Sequence, residues 1–366
     1  MQLICSRTAL VEAISMVQRA IAIRSTNPIL EGILLDAEDR LTLTGYDLET
    51  GIEAILNCDV KEKGKVVLRS KMFGDIIRKL PEEDVLIESQ SDFKVNITSG
   101  NAKFTIHGLD AMDYPEIPIV EESQKVQLKQ SILKSMIEQT IFAVSTDESR
   151  PLFNGIKVCI RQDKIELVAI DGFRLAVRSE EIESKTDNLD FIVPGRAMGE
   201  VARTLSDSEE TVALYLSHNH ILFETQKVRL VSRLIKGEFM DYERIIPGSF
   251  TTQMVVNARQ VLNAIERAAL VINVEQRRFP VTLETPETQK MKISARTDLG
   301  YVEELIDVDM KGESIDIDFN PKYFLDALSK LGDENVRIEF SGANYPCVIR
   351  PLEGEKFLYL LLPLRR

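Results

Sequence analysis

Apolar residues recur along this chain at offsets 0, +1, +4, +5 and +8, and the same stripe appears three times. It runs Met72, Phe73, Ile76, Ile77, Leu80, returns as Ala197, Met198, Val201, Ala202, Leu205, and returns again as Tyr323, Phe324, Ala327, Leu328, Leu331. The copies start 125 and 126 residues apart. Each set falls on one side of a helix of about 3.6 residues per turn. A repeat of this length predicts three copies of one domain, not a solenoid of short units.

The rest of each copy follows the same order. A second helical stripe opens it: Leu10, Val11, Ile14, Val17 and Ile21, then Ile132, Leu133, Met136, Ile137 and Ile141, then Val261, Leu262, Ile265 and Ala269. A β-rich middle follows, with Asn27-Pro28-Ile29-Leu30, Arg150-Pro151-Leu152-Phe153 and Arg277-Arg278-Phe279-Pro280 in matching places. Strand-like runs come after each shared stripe: Asp84 to Glu88, Thr211 to Tyr215 and Asn335 to Glu339, then Phe93 to Ile97, His220 to Phe223 and Cys347 to Ile349. Gly100, Gly342 and Ser217-His218-Asn219 read as turns between them. Two helices and roughly eight mostly antiparallel strands per copy predict an α+β plan, with the helices packed on sheet. Pro- and polar-rich stretches at Tyr114-Pro115-Glu116-Ile117-Pro118, Glu121-Glu122-Ser123-Gln124 and Ile246-Pro247-Gly248-Ser249 set the expected domains at 1–120, 125–248 and 250–366.

Charge changes this picture more than composition does. At 44% hydrophobic and 28% charged, the chain reads as an ordinary globular protein, and no apolar run approaches the roughly 20 residues that span a bilayer. The opening Met1-Gln2-Leu3-Ile4-Cys5-Ser6 does not read as a secretory signal, so a cytoplasmic location is expected. Cys5, Cys58, Cys159 and Cys347 are scattered without a C-x-x-C, which predicts four unpaired thiols. The net charge of −13 argues against nucleic acid at first sight. Yet the six helical windows hold 14 Lys/Arg against 6 Asp/Glu, one acid in each, which leaves −21 for the remainder. Lys71, Arg78, Lys79, Arg196, Arg203, Lys322 and Lys330 lie opposite the apolar stripes. One such face is ordinary solvated surface. Six of one sign, on an acidic background, predict a basic helical surface that holds phosphates without reading bases.

Catalytic motifs are missing. The chain has no G-x-x-x-x-G-K-[ST], G-x-G-x-x-G, H-E-x-x-H or G-x-S-x-G. His218 and His220 form an H-x-H pair that reads as a polar turn rather than a metal site. The alternating acids Asp307, Asp309, Asp316 and Asp318 fit the solvent face of half-buried strands. A magnesium-dependent nuclease or phosphotransferase built on those acids is the competing reading, and a three-repeat scaffold is a third. Asp47, Asp171 and Asp298 recur at 124 and 127 residues and read as turn formers. The apolar run Phe357 to Leu364, broken by Pro363 and ending in Arg365-Arg366, either caps the last domain's core or lines a peptide groove.

With these residues in view, the chain resembles the bacterial sliding clamp family, the beta subunits of replicative DNA polymerase III. The resemblance covers the whole chain. It is carried by Asn27-Pro28-Ile29-Leu30, Leu43-Thr44-Gly45-Tyr46-Asp47-Leu48-Glu49, Phe153-Asn154-Gly155, Asp171-Gly172-Phe173-Arg174-Leu175-Ala176, Asp241-Tyr242 and Leu362-Pro363-Leu364-Arg365. It implies three clamp domains per chain and a head-to-tail homodimer, a six-domain ring around duplex DNA. It also implies a processivity factor that tethers the polymerase III alpha subunit, the clamp loader and other proteins through short peptide motifs. No catalytic site, metal or cofactor is implied, and no membrane.

The resemblance also implies site residues. The peptide groove would use Phe153, Ile170, Gly172, Phe173, Arg174, Leu175, Met240, Arg244, Ile245, Tyr323, Pro346, Leu360, Leu362, Pro363 and Leu364. Family members commonly carry His in place of Phe173, Pro in place of Met240, and Met in place of Leu362 and Leu364. Arg24, Arg150 and Arg196 would contact DNA, with Lys71, Arg78, Lys79, Arg203, Lys322 and Lys330 added from charge placement. The dimer contact would join Lys103, Phe104 and Ile106 to Leu270, Val271, Glu303 and Glu304 of the other chain.

Overall fold

The computed structural model describes all residues but 23, 82, 122–124, 273–278, 288 and 366, together with the side chains of all but 183–187 and 287 among the rest. Arg277-Arg278, Glu122-Ser123-Gln124 and Arg366 therefore lie outside the described residues. The chain divides into two compact units, Met1–Ser131 with Arg203–Leu234, and Ile132–Ala202 with Ile235–Arg366.

Among the described residues, six α-helices stand where the stripes predict them, two per repeat: α1 (Arg7–Val17), α2 (Ser70–Lys79), α3 (Gln130–Glu138), α4 (Gly195–Thr204), α5 (Ala258–Ala269) and α6 (Pro321–Leu328). Their starts are set locally. Ser6 Oγ accepts from Ala9 N, Asn257 Oδ1 from Gln260 N, and Asn320 Oδ1 from Lys322 N with Pro321 at the first helical position. Phe73 and Ile77 of α2 and Phe324, Ala327 and Leu328 of α6 are fully buried, as their stripes require. Met72 departs from its stripe and is 49% exposed.

In the first unit, α1 and α2 pack together. Arg7 fastens the pair by donating to the last carbonyls of α2, Ile77 O at 3.3 Å and Arg78 O at 2.9 Å. One sheet has five strands, from Asp59–Glu62 at one edge to Ala102–His107 at the other. The other has eight, four from the second repeat followed by four from the first. The join is antiparallel, Val228–Arg233 against Thr50–Leu56. In the second unit a seven-stranded sheet crosses from the second repeat to the third in the same manner, where Arg174–Pro194 pairs with Phe357–Leu361. A four-stranded sheet, edged by Gly300–Asp307, backs α5. The middle repeat runs Gly155–Ile170 and Arg174–Pro194 as one long hairpin where several shorter strands were expected.

The cysteine expectation is corrected at one pair. Cys5 and Cys58 are bonded, 53 residues apart in sequence and 4.8 Å apart at Cα. The strand Asp59–Glu62 turns back to pair with Gln2–Ser6, with Leu3 opposite Val60 and Ile4 opposite Asp59, so the next residues along meet. Spacing along the chain carries no trace of that cross-strand neighbourhood. Cys159 and Cys347 are free and buried.

Gly45 marks where α1 settles on the sheet. A Cβ there would lie 2.2 Å from Val17 O, a backbone atom at the end of α1. Gly45→Ala is therefore expected to lower the urea midpoint by an amount equivalent to about 1–3 kcal/mol through overpacking. Gly248→Ala, with nothing within 4 Å, is the control and should leave the midpoint where it was. Equal midpoints for the two variants would contradict this packing.

Candidate functional site

The turn between the long hairpin strands builds the site. Asp171 Oδ1 accepts from Phe173 N at 2.9 Å and Arg174 N at 3.1 Å, and Gly172 between them has φ +91°. Asp47 makes the same turn in the first repeat, accepting from Glu49 N and Thr50 N. In the third repeat a shorter turn uses Thr297 Oγ1, which accepts from Leu299 N. The consequence in the second repeat is that Phe173 is turned outward, 58% exposed, while Arg174 is turned in.

Arg174 is 8% exposed, and burial of a guanidinium is costly unless it is paired. Two carboxylates meet it: Asp171 Oδ2 at 2.9 Å from Nε, and Asp326 Oδ2 on α6 at 2.5 Å from Nη1. Tyr323 and Phe142 cover its faces, with ring centroids at 4.9 and 5.5 Å. Phe173 stacks on the outside of Tyr323 at 6.2 Å. Arg174 thereby ties the hairpin to α6 and sets the aromatic wall.

Beside that wall lies an apolar cavity of about 330 Å³. Phe153, Ile170, Gly172, Phe173, Arg174, Met240, Ile245, Pro346, Leu360 and Leu362 line it. Its floor is the cluster of Ile170, Leu175, Val177, Val348, Leu358 and Leu360. The C-terminal run both caps the core and lines the cavity. Phe357–Leu361 is a buried strand, and Leu362, whose N donates to Phe173 O at 2.9 Å, continues it along the cavity. Of the other groove residues, Leu175 is buried in the floor, Tyr323 stands behind Phe173, and Arg244 is exposed and pairs with Asp241 at 2.7 Å. Pro363 and Leu364 lie past the lining, with Leu364 N donating to Asp318 O. Asp326, Phe142 and Phe239, which packs edge-on against Phe153 at 6.1 Å, belong to this site and were not expected from sequence.

Arg24, Lys71, Arg78, Lys79 and Arg203 are all exposed in the first unit, and Arg150, Arg196, Lys322 and Lys330 in the second. Arg78 pairs with Asp75 of its own helix at 2.9 Å. Arg150 also stands beside the hairpin turn, since a Cβ on Gly172 would lie 3.2 Å from its Nη1. Leu270 is 86% exposed, Phe104 is exposed and Ile106 is buried. Glu304 is held by Arg267 through two hydrogen bonds of 2.8 and 2.6 Å, and Glu303 accepts from Tyr301. A wide cavity of about 1070 Å³ beside Phe104 is lined by Ile21, Met72, Ile76 and basic residues of α2. Among the acids, Asp307 is paired with Lys290, and Asp318 accepts from Thr282.

Three family models match in order: the N-terminal domain of the DNA polymerase III beta subunit at residues 1–118, its central domain at 127–241 and its C-terminal domain at 243–365. A beta sliding clamp from Bacillus subtilis is 34% identical over 377 residues, covering 100% of both chains. One from Staphylococcus aureus is 35% identical over 357 residues, covering 95% of this chain and 94% of its own. The solved DNA polymerase sliding clamp of Bacillus subtilis superposes with a TM-score of 0.95 at 34% identity, covering 100% of this chain and 99% of the other. A putative DNA polymerase III beta subunit from Eubacterium rectale gives 0.94 at 36% identity, with the same coverage. A sliding clamp from Pseudomonas aeruginosa, solved bound to griselimycin, gives 0.94 at 29% identity, covering 100% of both.

Arg174→Ala would leave Asp171 and Asp326 without their shared cation. The expected cost is about 3 kcal/mol, read as a lowered urea midpoint for the second unit. A loss below about 0.5 kcal/mol, the scale of an exposed ion pair, would contradict a structural role for this cluster.

Proposed function

The chain belongs to the DNA polymerase III beta subunit family, and from that premise we propose that two copies close head to tail into a six-domain ring around duplex DNA. Its function is that of a DNA sliding clamp in replication. It is a processivity factor, not an enzyme. A ring holds DNA by topology, so a tethered polymerase rebinds the primer end before it escapes.

One observation carries the ring. Both joins between successive repeats are antiparallel strand pairs of one register: Val228 faces Ala54, and Phe357 faces Arg178. Residues 54 and 178 differ by the same 124 positions as Asp47 and Asp171. The two remaining strands of this kind, Ala102–His107 and Gly300–Asp307, are sheet edges among the described residues. Such an edge, left bare, is a template for pairing with another chain. A second copy supplies the partner for each, and a heterologous contact of this kind closes when the rotation per domain fits. Leu270, Leu299, Tyr301 and Leu305 are exposed around one edge, and Phe104 with Met72 around the other. They furnish apolar surface for the contact, while Ile106 serves its own core.

The exposed cations Arg24, Lys71, Arg78, Lys79, Arg150, Arg196, Arg203, Lys322 and Lys330 would face the phosphates without reading sequence. The apolar cavity behind Phe173 would take short peptide motifs of the polymerase III alpha subunit, the clamp loader and other partners. No described helix is long and apolar enough to cross a membrane. Work on replicating DNA supports a cytoplasmic location.

The ring is tested on DNA. Loaded protein should stay on closed circular DNA without magnesium and leave when the circle is linearised. Replacing two of the phosphate contacts, Arg24 and Lys71, by Ala should lower the slope of log K against log salt by about 1.8. Equal retention on linear and circular DNA would contradict encirclement.

A further inference from the structure

Two of the four cysteines are inert by placement. Cys159 and Cys347 are buried, and burial pushes both thiols up, Cys159 to about 12. The bonded pair is placed differently. Cys5 is 3% exposed, but Cys58 is only half-buried, so a small reagent reaches the bond from the Cys58 side. Their Cα separation of 4.8 Å is one a disulfide spans without backbone movement.

The location gives the bond leverage. Cys58 lies where the chain leaves Thr50–Leu56 of the eight-stranded sheet for Asp59–Glu62, an edge of the five-stranded one. Cys5 immediately precedes Ser6, which caps α1, and Arg7, which holds the end of α2. The bond joins a sheet edge to the root of the helix pair and closes a loop over a separation of 53 residues. Closing such a loop removes freedom from the unfolded chain.

We propose that Cys5 and Cys58 form a reversible redox pair, a modification site that strengthens the first repeat when oxidised. The oxidant is a low-molecular-weight disulfide such as oxidised glutathione. The Cys58 thiolate attacks it, forming a mixed disulfide and releasing one small thiol. The Cys5 thiolate then attacks Cys58 Sγ, forming the protein disulfide and expelling the second small thiol. The two protein thiols lose two protons and two electrons, and the oxidant gains them. An excess of reduced thiol runs the steps backward, so a reducing compartment keeps the pair open.

The test uses the full chain equilibrated in glutathione buffers from reducing to oxidising, quenched by alkylation in denaturant and read by mass. Four thiols should label at the reducing end and two at the oxidising end, with Cys5 and Cys58 the pair that is lost. The melting midpoint should rise by about 5 °C on oxidation. In Cys58→Ser, three thiols should label at every poise and the midpoint should not respond. Four labelled thiols throughout, or two that persist after native treatment with excess dithiol, would overturn the proposal. So would an equal midpoint shift in Cys58→Ser.

Discussion

An unpaired strand edge is the constraint on which this architecture turns. Backbone N–H and C=O groups must find partners, and a bare edge seeks another strand. Within the chain the need is met twice, at Val228–Arg233 against Thr50–Leu56 and at Arg174–Pro194 against Phe357–Leu361. Each join turns two repeats into one continuous sheet. The edges Ala102–His107 and Gly300–Asp307 are the same elements of the repeat left over. The ring proposed above is an arrangement that would leave no such edge over.

The two joins differ in what they do with the corner beside them. In the first unit Ile117, from the connector, packs over Gly51, where a Cβ would come within 2.6 Å of its Cδ1, and joins the cluster of Val231, Tyr215 and Leu222. In the second unit the equivalent of Gly51 is Leu175, and the connector residues Met240 and Ile245 line an open apolar cavity instead. Phe173 can stand at its rim because Asp171 orders the turn and Arg174 anchors it to α6. The repeat that makes the fold is thus broken at one corner to leave an open apolar cavity, and a buried cation with two carboxylates holds the break in place.

Much of this was legible in the sequence because it is periodic. The helical stripes located the six helices of the described residues, and the acidic turn formers located the hairpin turns at Asp47 and Asp171. The charge split located exposed cations on the helices. The cavity came from resemblance, because its lining is drawn from five separate segments whose meeting depends on sheet register. What periodicity could not reach was contact between residues far apart in sequence. Cys5 meets Cys58 only through strand pairing, and Arg174 is buried only because Asp326 arrives from 152 residues away. Met72 reads as a core position on its stripe yet is 49% exposed, where it lines the cavity beside Phe104.

The most direct measurement is solution mass by light scattering across a dilution series. Pairing of the two free edges predicts a particle of twice 41.4 kDa that persists on dilution, and loss of that mass when Leu270 is replaced by Arg. A particle of 41.4 kDa at micromolar concentration would leave both edges bare in solution and contradict closure of the ring by a second copy.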